Sequence, residues 1–279
     1  MLQISELYIY PIKSLAGIAV TEALVTKTGF EHDRRWMLVD ENGRFISQRE
    51  VPEMALLQVS VQDNGLLATH KTKGNRIFIP FQSTGRQVKV TIWDDTCSAE
   101  YVNRGTDKWF TAMLGINCRL VYMPDETKRI VDQRYAPGNA VTSFSDAYPF
   151  MIIGQASLDD LNSRLDQALP TNRFRPNFVF TGGQPFEEDR MGHFTVGDID
   201  FYGVKLCARC NIITIDQDNA QSGKEPAKTL AGYRKKNNKI LFGQNLVHQG
   251  AGIISIGDRM QIISRNDDER FIIKRSRKS

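Results

Sequence analysis

Gln87-Val88-Lys89-Val90-Thr91-Ile92-Trp93 alternates polar and apolar side chains at a period of two through Ile92. That is the pattern of a half-buried strand; a helix would repeat its apolar positions every three to four residues. Leu2-Gln3-Ile4 and Leu7-Tyr8-Ile9 read the same way, the second ending at Pro11. Further along, Thr195 to Phe201 and Ser255 to Gln261 each set Gly-Asp between two alternating runs. Gly-Asp in such a place signals a turn inside antiparallel β structure. Two stretches break the rule. Thr106 to Leu114 carries Trp109, Phe110, Met113 and Leu114 on one helical face and stops at Gly115, a suitable C-cap. Ser157 to Leu169 is expected to be a helix capped by Ser157, with Asp160 three residues on, buried through Leu158, Leu161 and Leu165, and ended by Pro170. Many strands with a few helices give an α+β, β-rich fold built around barrels.

The chain has 279 residues, enough for one large domain or two smaller ones. A boundary is expected near residue 124, where Leu120-Val121-Tyr122-Met123 gives way to the polar stretch Pro124 to Lys128. The expected division is 1–124, 125–265 and a basic tail, 266–279, read as a solvated end. With 36 basic and 32 acidic residues, the net charge of +4 is too small to argue for nucleic acid. It permits a local anion site. No run approaches the ~18 apolar residues of a membrane helix, and the N-terminus has no basic and apolar leader pattern. Four cysteines at irregular spacing fit no disulfide framework, so a reducing cytoplasm is the expected setting.

Two of those cysteines stand together in Lys205-Leu206-Cys207-Ala208-Arg209-Cys210-Asn211-Ile212-Ile213-Thr214-Ile215-Asp216. A C-x-x-C pair serves half a zinc site, a thioredoxin-like redox couple, or one reactive thiol with a bystander. Cys97, Cys118, His193 and His248 offer no second ligand pair at zinc spacing. A redox couple needs the motif to open a helix, whose N-terminus lowers the thiol pKa. The β-branched run after Cys210 is expected to be a strand, which leaves one functional thiol. Elsewhere, basic and hydroxyl groups gather where apolar runs end: Pro11-Ile12-Lys13-Ser14, Asp33-Arg34-Arg35, Ser47-Gln48-Arg49 and Asn172-Arg173-Phe174-Arg175-Pro176-Asn177. Arginine grips phosphate in bidentate fashion, and loops at strand ends are where binding groups collect.

Pro11-Ile12-Lys13-Ser14, Asp33-Arg34, Phe144-Ser145-Asp146-Ala147-Tyr148-Pro149-Phe150, Phe174-Arg175-Pro176-Asn177, Cys207-Ala208-Arg209-Cys210 and Phe242-Gly243-Gln244-Asn245 follow in that order. Together they resemble the MOSC family, in particular its amidoxime-reducing branch, over roughly residues 1 to 263. The resemblance implies an N-terminal β-barrel-like half and a MOSC β-barrel half packed against it. It implies that Cys210 ligates molybdenum as the catalytic metal ligand. Lys13, Ser14 and Arg34 match positions holding the phosphate and ring system of the pterin cofactor. Ser145, Arg175, Asn177 and Arg209 match further cofactor-lining positions, and Arg49 matches a basic residue beside them. The family often has Ser where this chain has Ala208, which removes one hydroxyl contact.

The residue chemistry fits that reading. A soft thiolate suits molybdenum, Arg209 beside Cys210 is expected to favour the thiolate, and a polyanionic cofactor suits a basic shell. Cys207 reads as a small, partly buried supporting thiol, and Cys97 and Cys118 as core or surface thiols. The implied activity is a molybdenum-cofactor-dependent oxidoreductase that reduces N-hydroxylated compounds such as amidoximes, hydroxylamines and N-hydroxylated bases. The alternative is a carrier of persulfide sulfur or of the cofactor, without reductase activity. A dithiol mechanism through Cys207 and Cys210 is disfavoured by the expected strand. With no iron–sulfur cysteine pattern and no G-x-G-x-x-G after a strand, electrons are expected from a ferredoxin- or flavodoxin-type donor in trans.

Overall fold

Ile4, Leu7 and Ile9 are all buried although their spacing is three and then two. One strand, Gln3–Ile9, contains them, with its register shifted between Ile4 and Glu6. An extra residue at such a bulge turns the odd spacing back onto one face, so the two short runs of the sequence are a single element. The computed structural model describes residues 1–136 and 138–266, and the basic tail from 267 onward lies outside them.

The first strand pairs with Phe178–Thr181 on one side and Ile18–Val20 on the other. From Phe178–Thr181 the sheet continues through Phe150–Gly154, Lys239–Gln249, Ile199–Arg209 and Met191–Val196 to Met260–Arg265. A bridge from Gln3 to Arg259, with the Met260 N–H donating to the Leu2 carbonyl (3.0 Å), brings the last strand back to the first. The sheet therefore curls into a barrel. Its interior is filled by Ile4, Leu7, Phe150, Ile152, Phe178, Phe180, Phe194, Phe201, Leu246 and Met260, drawn from seven of its strands. The N-terminal residues are thus part of the C-terminal barrel; Glu22–Thr26 likewise pairs with Gly252–Ser255.

Residues between these contributions form a second β unit. Trp36–Val39, Arg119–Tyr122, Asp95–Tyr101 and Gln87–Ile92 make one sheet, and Leu57–Gln62, Gly65–His70 and Arg76–Pro80 another. The helix Arg104–Leu114 covers this unit with Phe110 and Leu114 buried. Asn103 caps its start, accepting from the Thr106 N–H at 2.9 Å, and Gly115 ends it at φ 70°. The α+β, β-rich expectation holds.

Three local readings change. The second helix is Gln155–Asn162, and Ser157 lies inside it, buried, not at its cap. The Ser157 hydroxyl donates to Glu188 Oε2 (2.7 Å) and accepts from the Phe186 N–H (2.7 Å). Its partner is tertiary, so no local capping rule reveals it. Glu188 is fully buried, and burial followed by the neighbouring Asp189 pushes its carboxyl up to about 8. Of the two Gly-Asp turns, Gly197-Asp198 closes a true hairpin, with Val196 opposite Ile199. Gly257-Asp258 joins strands that pair with different partners. Finally, the run after Cys210 is a short 3-10 turn, Asn211–Thr214; the strand is Ile199–Arg209, which contains Cys207 and ends just before Cys210. Ile213 is buried there against Leu158, Phe174, Leu230 and Phe242, which decides its geometry over its strand propensity.

Candidate functional site

Lys13, Ser14, Arg34, Arg49, Ser145, Arg175, Asn177, Arg209 and Cys210 all line one cleft between the two β units, enclosing about 810 Å³ out to its open mouth. Each comes from the end of a strand or the loop beyond it. Lys13 and Ser14 follow the first strand, while Arg34 precedes Trp36–Val39. Ser145 precedes Phe150–Gly154, Arg175 and Asn177 precede Phe178–Thr181, and Arg209 and Cys210 close Ile199–Arg209.

A buried network fixes the basic groups. Arg34 Nη1 donates to Asp33 Oδ2 (2.6 Å) and Asn177 Oδ1 (3.1 Å), and its Nη2 to the Arg175 carbonyl (3.3 Å). Asp33, 1% exposed, also accepts from the Tyr10 N–H at 2.7 Å. Asn177 stitches two strands together: its Nδ2 donates to the Tyr8 carbonyl (3.2 Å) and its Oδ1 accepts from the Met151 N–H (3.3 Å). The Tyr10 ring lies 4.3 Å from the guanidinium carbons of both Arg34 and Arg175. Arg34 has carboxylate and amide partners. The Arg175 side chain makes no hydrogen bond among the described residues, and burial pushes its guanidinium down to about 10.

On the opposite wall, Lys13 is 5% exposed and donates to Asp146 Oδ1 at 2.6 Å. Burial pushes its ammonium down to about 8 against the pull of Asp146. Desolvation by its packed neighbours would push the Asp146 carboxyl up although its side chain stays 60% exposed, but Lys13, Arg49 and Arg34 outweigh it and hold that group well below the usual carboxylate range. Arg49 Nη2 stands 4.0 Å from Asp146 Oδ2. Ser145 donates to the Tyr148 carbonyl (2.8 Å). Buried Arg129 gathers this loop through the carbonyls of Ser143 (3.1 Å), Ser145 (2.5 Å) and Asp146 (3.1 Å).

The thiols divide differently from the expectation. Arg209 Nη1 donates to Cys207 Sγ at 3.0 Å and Nη2 to the Phe174 carbonyl. The guanidinium therefore serves Cys207, two residues back, because side chains two apart on a strand share a face and adjacent ones do not. Cys207 is half-buried and packs against the cluster of Ile153, Phe174 and Phe242. Cys210 lines the cleft, and its Sγ makes no hydrogen bond among the described residues. Cys118 is buried in the N-terminal unit, where burial pushes its thiol up to about 11.

Sequence reasoning did not assign Asp146, Tyr10 or Arg129 to the site. Asp146 stood inside a quoted motif, and Tyr10 directly before Pro11, but only tertiary structure sets them against the cations. Gly243, also in a quoted motif, has φ 78°, and a Cβ there would stand 2.9 Å from the Ile152 carbonyl and from Met151 Sδ. The glycine lets the strand Lys239–Gln249 close onto the cleft wall.

Chemically, the cleft brings five cations, Lys13, Arg34, Arg49, Arg175 and Arg209, against one lining carboxylate, Asp146. Arg49 Nε and Arg209 Nε are buried without a hydrogen-bond partner. Buried donors of this kind call for acceptors, and clustered cations for an anion. Among the described residues no three His, Cys, Asp or Glu side chains come together as a metal-binding group. Cys210 thus offers one soft donor, and a metal beside it would need its remaining donors from a bound group. Two β units closing on a cationic, thiol-bearing seam make a class of protein suited to a sulfur-linked anionic cofactor.

The chain belongs to the MOSC family: residues 1–117 match the MOSC N-terminal beta barrel domain, and residues 139–261 match the MOSC domain. It is 30% identical to mitochondrial amidoxime-reducing component 1 of Mus musculus, an alignment covering 94% of this chain and 82% of that protein. The Homo sapiens counterpart is likewise 30% identical, with 94% and 83% covered. Molybdenum cofactor sulfurase of Arabidopsis thaliana is 31% identical over 88% of this chain, which spans 33% of that longer protein. No helix among the described residues is long and apolar enough to cross a membrane.

Proposed function

We propose that the protein binds molybdenum cofactor in this cleft and reduces N-hydroxylated compounds, R–NHOH + 2H⁺ + 2e⁻ → R–NH₂ + H₂O. The observation carrying the reading is the unpartnered Arg175 guanidinium, set with four other cations around an available Cys210 thiol. The names of the amidoxime-reducing relatives supply the substrate class. When bound, the cofactor's molybdenum would give two electrons to the substrate and take its oxygen atom, and the external donor would restore those electrons.

The chain's own residues bind, orient and hold charge. Lys13, Ser14, Arg34 and Arg175 would hold the cofactor's anionic groups, Ser145, Asn177 and Arg209 would line it further, and Cys210 Sγ would be the metal ligand. Arg34 is preorganised by Asp33 and Asn177, so it loses little freedom on gripping an anion. Asp146, held ionised and with its side chain 60% exposed, accepts from a substrate N–H or O–H at the mouth. Its depressed pKa keeps it an acceptor at neutral pH, so the two protons come from solvent through the open mouth. Electrons come from an external ferredoxin- or flavodoxin-type donor.

The test is anaerobic purification from cells supplied with the cofactor, followed by molybdenum and pterin analysis and turnover of benzamidoxime with reduced viologen. Stoichiometric cofactor and benzamidine formation are expected. Folded protein without molybdenum or pterin overturns the reading. Bound cofactor, or a Cys210 persulfide, without turnover assigns the chain to the carrier role suggested by its similarity to the sulfurase.

A further inference from the structure

Trp93 stands where turn chemistry does not call for it. It and Asp94 form a two-residue link between Ile92 and Asp95, a paired position of the strands Gln87–Ile92 and Asp95–Tyr101. Such links favour Gly, Asn or Asp where φ is positive, and Trp93 has φ 55°. A bulky residue in that region is strained, and strain kept by the fold points to use. The indole is 41% exposed, so burial does not explain it either.

Its contacts lie on the cleft side. The Arg49 guanidinium carbon sits over the ring, 4.0 Å from its centroid, well within cation–π range. Phe45 meets the ring edge-on at 4.8 Å, fixing its tilt. The indole Nε1–H donates to Asp146 Oδ1 at 3.4 Å. Arg49 and Asp146 both line the cleft, and Arg49 Nε is buried without a partner. Trp93 thus backs a planar cation that faces the cleft, and holds the carboxylate beside it.

From this juxtaposition we infer that Trp93 and Arg49 form a stacking wall that selects flat, conjugated N-hydroxylated substrates over aliphatic ones. The inference rests on the reductase reading of the same cleft and adds the specificity of its mouth. A conjugated ring lies against the guanidinium face, while its N–OH end reaches Asp146. An aliphatic substrate offers the same N–OH end and no ring. A hairpin tip needed only for closure would carry none of this.

The experiment compares benzamidoxime with acetamidoxime on the cofactor-loaded protein, using reduced viologen. Trp93→Asn removes the ring and places a residue that tolerates positive φ, so folding is preserved. Trp93→Phe keeps a ring. The ratio of kcat/KM for benzamidoxime over acetamidoxime is expected to fall about tenfold in Trp93→Asn, mostly through KM, the size one stacked pair supplies. It should be largely retained in Trp93→Phe. An unchanged ratio in Trp93→Asn, or an equal fall in both variants, overturns the inference.

A second readout needs no turnover. Without reductant, the emission belonging to Trp93 (wild type minus Trp93→Phe) should be quenched by benzamidoxime and not by acetamidoxime. Absence of that quenching overturns the stacking wall, whether or not the protein is a reductase. Quenching in protein that turns over neither compound supports the wall and overturns the reductase reading.

Discussion

Replacing Arg175 by methionine separates binding from folding. Its guanidinium packs over Tyr10 and makes no hydrogen bond among the described residues, so its removal orphans nothing. Burial pushes the group down to about 10 from 12.5. That difference disfavours the charged form by about 3 kcal/mol at most, since partial exposure lets solvent screen it. A methionine occupies similar space without charge, so the cofactor-free protein should gain about 1 kcal/mol, or ~2–4 °C in Tm. Cofactor binding loses a charge-assisted contact of about 1.5–3 kcal/mol, a ten- to hundredfold drop in affinity. Arg34→Met is the control. It strips the buried Asp33 carboxylate of its 2.6 Å partner, which should cost about 3–5 kcal/mol of stability as well as cofactor. Thermal unfolding of both cofactor-free variants, with pterin analysis of both after cofactor supply, decides. If Arg175→Met unfolds as easily as Arg34→Met, or keeps full pterin content, the division between a binding and a structural arginine is wrong.

Cys210→Ser should abolish turnover because it removes the proposed metal ligand, whereas Cys207→Ala, which loses the Arg209 contact and some packing, should stay within several-fold of wild type; equal loss in two folded variants would favour a dithiol mechanism. Lys13 titrates near 8 in the folded protein, below its unfolded value of 10.5, so its charge is lost as pH rises through about 8. Cofactor loading measured by pterin content should weaken above that pH in wild type and stay flat in Lys13→Arg, whose charge persists; parallel curves would contradict this. Glu188 has the opposite linkage: its folded pKa of about 8 lies above the unfolded 4.5. Its contribution is fully present below pH 4.5 and lost as pH rises toward 8, by up to about 5 kcal/mol. Unfolding free energy should therefore fall from pH 5 to 8 more steeply in wild type than in Glu188→Gln, and equal slopes would show that the carboxyl ionises in the folded state at its ordinary pKa.

What the sequence made legible was local and periodic. Alternation at Gln87 to Ile92 and the capped stretch ending at Gly115 each depend on neighbours within a few positions, and both appear as read. What it concealed depends on distant pairing. Gln3–Ile9 lies between Phe178–Thr181 and Ile18–Val20, so two N-terminal strands join a barrel whose other strands come from the second half of the chain, which no composition shift announces. Ser157 looked like a cap because Ser starts helices, yet its partner is Glu188, 31 residues on. Asp146 escaped notice because a carboxylate in a basic cleft has meaning only once Lys13 is beside it. The placement of Arg209 was within reach, since residues two apart on a strand share a face, and that rule favours Cys207 over Cys210.

Backbone strain marks the same site that the charges mark. Nine non-glycine residues take positive φ among those described, and Asn237 and Asn238 need no account beyond the tight turn between Lys236 and Lys239. His32, Phe186 and Ala220 lie outside the cleft lining, but Ser14, Arg34, Arg175 and Trp93, from four separate segments, are all at the cleft or touching its lining. Such conformations cost about 1–3 kcal/mol each and persist only where surrounding bonds over-determine them. At Arg34 those bonds are visible, its N–H on the Tyr10 carbonyl and its side chain on Asp33. Strain and like charge thus accumulate at one place, and the basic groups repel one another until something negative lies between them. A site built this way would be least stable empty, and the proposed anionic cofactor would relieve the charge that folding alone leaves uncompensated.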